Sequence, residues 1–166
     1  MTLAEAAARA DALAESGSAQ ELAALRAQWD DELEAAARSA DFRERALAFR
    51  ALGMFRWRAK EELLRRGLED ESPAVRGSAL LSLELLSRDH PSTVNAARPL
   101  LHRLADGDAN AAVRRLAVLA LRNGSPHRDT IVLLEGIGAD DEADAELRRA
   151  AARAAQLLRR RSQARR

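Results

Sequence analysis

A pattern that returns four times constrains this chain more than any other feature. Phe42-Arg43-Glu44-Arg45-Ala46, Val75-Arg76-Gly77-Ser78-Ala79, Val113-Arg114-Arg115-Leu116-Ala117 and Leu147-Arg148-Arg149-Ala150-Ala151 each read apolar-Arg-x-x-Ala. Successive copies start 33, 38 and 34 residues apart, which suits two helices of about twelve residues with their turns. One such unit cannot bury its apolar face alone, so the repeat predicts stacked helical hairpins. In the two middle copies Asp70 and Asp108 stand five residues ahead of Val75 and Val113, and Glu142 takes the same place ahead of Leu147. A carboxylate there can meet exposed backbone N–H groups at the start of a helix, and Pro73 suits a first turn.

Composition agrees with an all-α fold. Of the residues 47% are hydrophobic but only 3% aromatic, so alanine and leucine supply most apolar side chains, and both favour helices. Thr2-x-x-Glu5 and Ser18-x-x-Glu21 read as capping boxes, split by Ser16-Gly17-Ser18. Leu22, Leu25, Trp29, Leu33 and Ala36 form one apolar stripe. Further helices are expected over about 41–56, 59–69, 73–87, 92–105, 110–122, 126–137 and 143–160. Pro99 is expected to kink the helix that contains it.

The chain has no cysteine, which excludes disulfides and thiolate chemistry. It lacks an uninterrupted apolar run of the ~20 residues that span a bilayer, and the first residues lack a signal-peptide pattern; a cytoplasmic location is expected. Lys60 is the single lysine, against 26 arginines, a skew that fits GC-rich coding and weakens arginine abundance as a nucleic-acid signal. The net charge of +1 is banded: −6 over 1–41, +5 over 42–68, −5 over 69–145 and +7 over 146–166. Basic surfaces separated by acidic ones are expected, not one continuous phosphate-binding stripe.

The pattern Pro-Leu-Leu-x-x-Leu-x-Asp, a short turn, then x-Val-Arg-x-x-Ala-x-x-x-Leu resembles the HEAT repeat, in particular the bacterial variety also found in phycobilisome lyases. Asp70, Pro73, Val75, Arg76, Ala79 and Leu83 carry it in one copy, and Asp108, Val113, Arg114, Ala117 and Leu121 in the next. The first copy then has Arg50 at the leucine position and the last has Ala155. The resemblance implies a right-handed α-α superhelix: a short HEAT-like solenoid of about four hairpins forming one domain. Residues 1–17 would be its N-terminal capping helix, 18–160 its repeats and 161–166 a basic tail.

In that family arginines at this position form a ladder with turn carboxylates. The resemblance therefore gives Arg43, Arg76, Arg114 and Arg148 a structural role with Asp70, Asp108 and Glu142. The less regular Arg45, Arg115 and Arg149 would lie on the helices that line a HEAT concave face, pointing away from Val75, Val113 and Leu147. They are either solvated charge or cations that receive an acidic peptide, helix or phosphate. Phe42, Ala46 and Phe49 share a helical face and read as core, whereas Trp57, beside Arg58 and Lys60, reads either as half-buried packing or as a partner contact.

His90, His102 and His127 show no metal-ligand spacing, no Gly-rich phosphate loop is present, and no nucleophile sits beside a base; no cofactor or metal is expected. The expected function is a non-catalytic interaction module or adaptor, a monomer away from membranes, binding an acidic patch or helix of another protein. The alternative is nucleic-acid binding. Its sharpest form is a glycosylase for alkylated bases, since those enzymes resemble HEAT-like stacks and Trp57 with Glu61 loosely matches their aromatic–carboxylate pair.

Overall fold

The computed structural model describes all 166 residues, Met1–Arg166, as nine α-helices with no strand. The chain is all-α, and none of its helices is long and apolar enough to cross a membrane. It divides into two compact units, Met1–Leu86 and Ser87–Arg166.

The first unit holds α1 (Leu3–Glu15), α2 (Ala19–Ala37), α3 (Phe42–Met54), a 3-10 turn (Arg58–Lys60), α4 (Glu61–Leu68) and α5 (Pro73–Ser87), whose last residue falls in the second unit. Thr2 and Glu5 form the expected capping box at the start of α1. The box expected at Ser18 does not form: Ser18 Oγ lies 2.9 Å from Ser16 Oγ and caps no backbone group. The α2 stripe is buried as expected through Leu22, Leu25, Trp29 and Leu33, but closes on Ala37 instead of Ala36.

Helix α3 ends with backbone bonds from Arg56 N–H to the Gly53 carbonyl and from Trp57 N–H to the Leu52 carbonyl. This Schellman turn needs a left-handed residue, a place that usually falls to glycine. Here it is Arg56, at φ 51°. Its guanidinium reaches Asp11 (2.7 Å) and Glu15 (2.8 Å) on α1, and Arg26 donates to the Phe55 and Arg56 carbonyls (2.8 and 2.9 Å). Those contacts hold the backbone against its local preference. Near the same end α3 meets α5 closely: buried Ser82 on α5 accepts the Gly53 N–H on its hydroxyl (2.9 Å) and lies against the carbonyls of Phe49 and Arg50.

The second unit holds α6 (Ser92–Gly107), α7 (Ala111–Leu121), α8 (Arg128–Ala139) and α9 (Ala145–Ala164). Helix α6 runs uninterrupted through Pro99. Helices α6 and α7, α7 and α9, and α8 and α9 pack on one another through Leu101, Val113, Leu121, Leu134, Leu147 and Leu158, all nearly or fully buried. The stretch read as a basic tail is helical as far as Ala164.

Between α6 and α8 lies a polar network. Arg98 donates to the hydroxyl of buried Thr130 (2.8 Å), and His102 Nε2 is 2.8 Å from the same oxygen. Arginine can only donate, so the Thr130 oxygen accepts from Arg98 and is shared with His102, beside a guanidinium that disfavours a second positive charge on the ring. Burial, then the Arg98 and His127 charges, hold His102 below its ordinary pKa of 6.5, with Asp129 pulling the other way. Because the unfolded chain binds this proton more readily, the His102 contribution is intact above about pH 6.5 and is lost as pH falls through that value toward the folded pKa. Urea midpoints are expected to drop between pH 7.5 and 5.5, above the range where carboxylates titrate, and His102→Gln is expected to flatten that slope. A wild-type midpoint constant over this range would contradict the network.

Candidate functional site

The starts of α3, α5, α7 and α9 are built alike, and their hydrogen bonds fix the repeat register. Asp41, Asn110 and Asp144 are the N-caps of α3, α7 and α9, and Ser72 holds that place ahead of α5: its carbonyl accepts the Arg76 N–H as the cap carbonyls accept those of Arg45, Arg114 and Arg148. Counting from these caps aligns Arg45 with Arg76, Arg114 and Arg148, Ala48 with Ala79, Ala117 and Ala151, and Leu52 with Leu83, Leu121 and Ala155. Those alanines are all 0% exposed and the third set at most 3%. The register read from Phe42 is therefore two residues out. Phe42 is 47% exposed, while Val75 is fully buried. Arg43 is a surface side chain paired with its own cap, Asp41 (3.3 Å).

Arg45 occupies the ladder position instead of a free concave surface. Its Nη1 donates to the carbonyls of Ser39 and Ala40 (3.0 and 3.1 Å), six and five residues back. Arg76 does the same to Asp70 and Glu71 (2.9 and 3.1 Å). Arg45 also grips Asp70 with two bonds, Nε to Oδ2 (3.0 Å) and Nη2 to Oδ1 (3.1 Å), with both side chains mostly covered. Burial opposes the Asp70 carboxylate, but the Arg45 bonds, the Ser72 N–H and the Arg45 and Arg76 charges together outweigh it and hold Asp70 below the ordinary carboxylate range.

Asp70 and Asp108 accept the N–H of Ser72 and Asn110 (both 2.9 Å), so each folds the turn ahead of its helix. Arg114 donates to the Ala105 carbonyl (2.8 Å). Glu142 does not take the equivalent role: Asp140 folds that turn, and Arg148 lies 3.7 Å from Asp141.

Trp57 is 9% exposed, its ring tilted at 47° against Phe55 with centroids 5.5 Å apart and covered by Lys60 at 4.7 Å. Lys60 is itself held by Asp30 (2.6 Å) and Glu34 (2.7 Å) on α2. Burial alone would lower the Lys60 pKa, and those two carboxylates raise it on balance. Trp57 therefore presents no open stacking face; Arg58 and Glu61 beside it are exposed.

Arg115 and Arg149 do come together, in a groove between α7 and α9. The inward faces of these helices, Val113, Ala117 and Leu121 on one and Leu147, Ala151, Ala154 and Leu158 on the other, press them against each other. The next face of α7 carries Arg115, Leu119 and Arg122 at i, i+4 and i+7. That of α9 carries Glu146, Arg149, Ala150, Arg153, Ala154 and Leu157. Together they line a groove of about 470 Å³. Small Ala150 and Ala154 leave room between the long side chains, and Leu119 and Leu157 give it apolar walls.

Four arginines face one carboxylate there. Glu146 is paired with Arg115, and Arg149 and Arg153 are exposed with no carboxylate partner. Sequence reading missed Leu119, Arg122, Arg153 and Leu157, although the i, i+4, i+7 spacing of Arg115, Leu119 and Arg122 was available to find half of them. A second hollow of about 230 Å³ in the same unit is lined by Arg88, Ser125, Arg161 and Arg165 among others. No group of three or more His, Asp or Glu side chains is arranged to hold a metal ion. Neither the family models nor the curated proteins compared with this sequence match it.

Proposed function

We propose that the chain is a non-catalytic protein-interaction module that holds an acidic helical segment of a partner in the α7–α9 groove. The observation that carries this reading is the lining itself: Arg115, Arg122, Arg149 and Arg153 around a floor of Leu119, Ala150, Ala154 and Leu157, with Glu146 as the one acid. A helix with leucines on one stripe and carboxylates beside it would bury the first on the floor and set the second against the arginines. Partly apolar walls favour such a ligand over a bare phosphate backbone, and burial of Trp57 leaves nucleic-acid binding without its stacking platform. We read the architecture as a short HEAT-like stack. The recurrence of cap, arginine, buried alanine and buried leucine or alanine in α3, α5, α7 and α9 supports that reading.

The test is a fluorescence-anisotropy titration with a labelled synthetic helix carrying Glu at i, i+4 and i+7 beside a leucine stripe. Binding is expected to weaken with added salt, because the steering charges are exposed. Replacing Arg149 and Arg153 together with Glu should lower affinity by about tenfold or more without changing the thermal unfolding curve. Unchanged affinity in that variant would remove the groove as the site. Tighter binding of a short single-stranded oligonucleotide, lost in the same variant, would transfer the groove to nucleic acid.

A further inference from the structure

The outer face of α2 is complementary to the groove in charge. Glu21, Ala24, Gln28, Asp31, Glu32 and Ala35 fall at i, i+3, i+7, i+10, i+11 and i+14, a single stripe, and all are exposed. Unlike Asp30 and Glu34 on the same helix, which hold Lys60, Glu21, Asp31 and Glu32 have no cationic partner. Toward α1 the stripe borders a shallow hollow of about 180 Å³, where Glu21, Ala24 and Gln28 meet Arg9 and Leu13.

On α9 the exposed stripe is Arg149, Arg153, Gln156 and Arg160, at i, i+4, i+7 and i+11. None of these arginines has a carboxylate partner, whereas the neighbouring Arg159 is held by Glu135. Each helix carries two like charges toward one end and a third farther along: Glu21 lies ten and eleven residues from Asp31 and Glu32, and Arg160 lies eleven and seven from Arg149 and Arg153. Glu21 to Glu32 and Arg149 to Arg160 each span eleven residues, about 16 Å at ~1.5 Å per residue. The opposition extends to the units: residues 1–86 hold 12 basic and 16 acidic side chains, net −4, and residues 87–166 hold 15 and 10, net +5.

We infer that the occupant of the α7–α9 groove is the α2 face of a second copy of this chain, so that the protein associates head to tail. This rests on the groove reading above and names its partner, a helix face that offers alanines where the synthetic ligand offers leucines, since Leu22, Leu25 and Leu33 are buried in the first unit. Set antiparallel, Glu32 of one copy faces Arg149 of the next and Glu21 faces Arg160; Asp31 then stands over Ala150 between Arg149 and Arg153, and Ala24 lies against Leu157. Each copy keeps one acidic face and one basic groove unused, so the contact is heterologous and continues to further copies unless the geometry closes a ring.

The experiment is sedimentation velocity on the full chain over a micromolar to millimolar series, at low and high salt. The weight-average mass is expected to rise with concentration above 18.1 kDa at low salt and to return to the monomer value at high salt. Asp31→Arg with Glu32→Arg makes both surfaces basic, and Arg149→Glu with Arg153→Glu makes both acidic. Each double variant alone is expected to stay monomeric, and mixing the two is expected to restore association, because every junction in the mixture is again complementary. The substituted side chains are exposed, and circular dichroism checks that both variants fold. A wild type that stays monomeric throughout, a single variant that associates like wild type, or a mixture that stays monomeric overturns the inference. If the wild type is monomeric yet binds the synthetic acidic helix through Arg149 and Arg153, this inference falls and the groove reading stands; if it does neither, both fall.

Discussion

Leu52→Ala is expected to destabilise the first unit by about 2–5 kcal/mol, as deleting a buried leucine does when its surroundings cannot collapse into the space. Phe42→Ala, a larger deletion by volume, is expected to cost less than about 1 kcal/mol, because an exposed side chain loses little apolar burial. Leu52 is 1% exposed and Phe42 47%. The pair separates two registers of the first repeat. If Phe42 stood where Val75 stands, its loss would be the costly one and the inward leucine position would fall on Arg50. With Asp41 as the cap of α3, Leu52 instead aligns with Leu83 and Leu121, and Leu83→Ala and Leu121→Ala should show losses of the same size in urea unfolding. A Phe42→Ala loss as large as that of Leu52→Ala would restore the other register.

That ambiguity shows what can be read in such a sequence and what cannot. The middle copies were unambiguous, since Val-Arg-x-x-Ala-x-x-x-Leu occurs in each in one frame only. In the first copy each of two frames satisfies part of the rule: one keeps apolar Phe42 ahead of Arg43 and Ala46 but puts Arg50 at the leucine position, and the other keeps Arg45, Ala48 and Leu52 but puts Glu44 at the apolar position. The physical tie-breaker is a cap and the reach of one guanidinium: Asp41 accepts the Arg43 N–H (2.9 Å), and Arg45 reaches back to Ser39 and Ala40 and across to Asp70. The second belongs to three-dimensional proximity, 25 residues away in sequence. Trp57 was illegible for a related reason. Its burial follows from a left-handed turn at Arg56, and an arginine there gives no local sign of the turn that a glycine would. The groove was half legible. Helical spacing places Arg115 with Arg122 and Arg149 with Arg153, but only the packing of α7 on α9 sets the two rows against each other.

The close approach of α3 and α5 yields the other large effect. Gly53 lies inside α3 at an ordinary helical backbone angle, so on propensity alone Gly53→Ala would stabilise by up to about 1 kcal/mol. Space decides otherwise. A Cβ on Gly53 would stand 2.6 Å from Ser82 Cα and 2.7 Å from its Oγ. No rotamer change relieves contact with backbone, so the two helices must part. Parting them strains the bonds that Ser82 makes to Gly53, Phe49 and Arg50. Overpacking and weakened buried hydrogen bonds together set the expected loss at about 2–4 kcal/mol.

Gly136→Ala on α8 is the control, because a Cβ there meets nothing within 4 Å and should give back the propensity gain of about 0.5–1 kcal/mol. Ser82→Ala removes the acceptor of a buried N–H and should cost about 1–3 kcal/mol. Combined with Gly53→Ala it should cost less than the sum, since both changes act on one contact. A Gly53→Ala protein as stable as the Gly136→Ala one would mean that α3 and α5 do not meet at this distance. The Ser82 bonds would then be lost as well, leaving Ser82→Ala close to neutral.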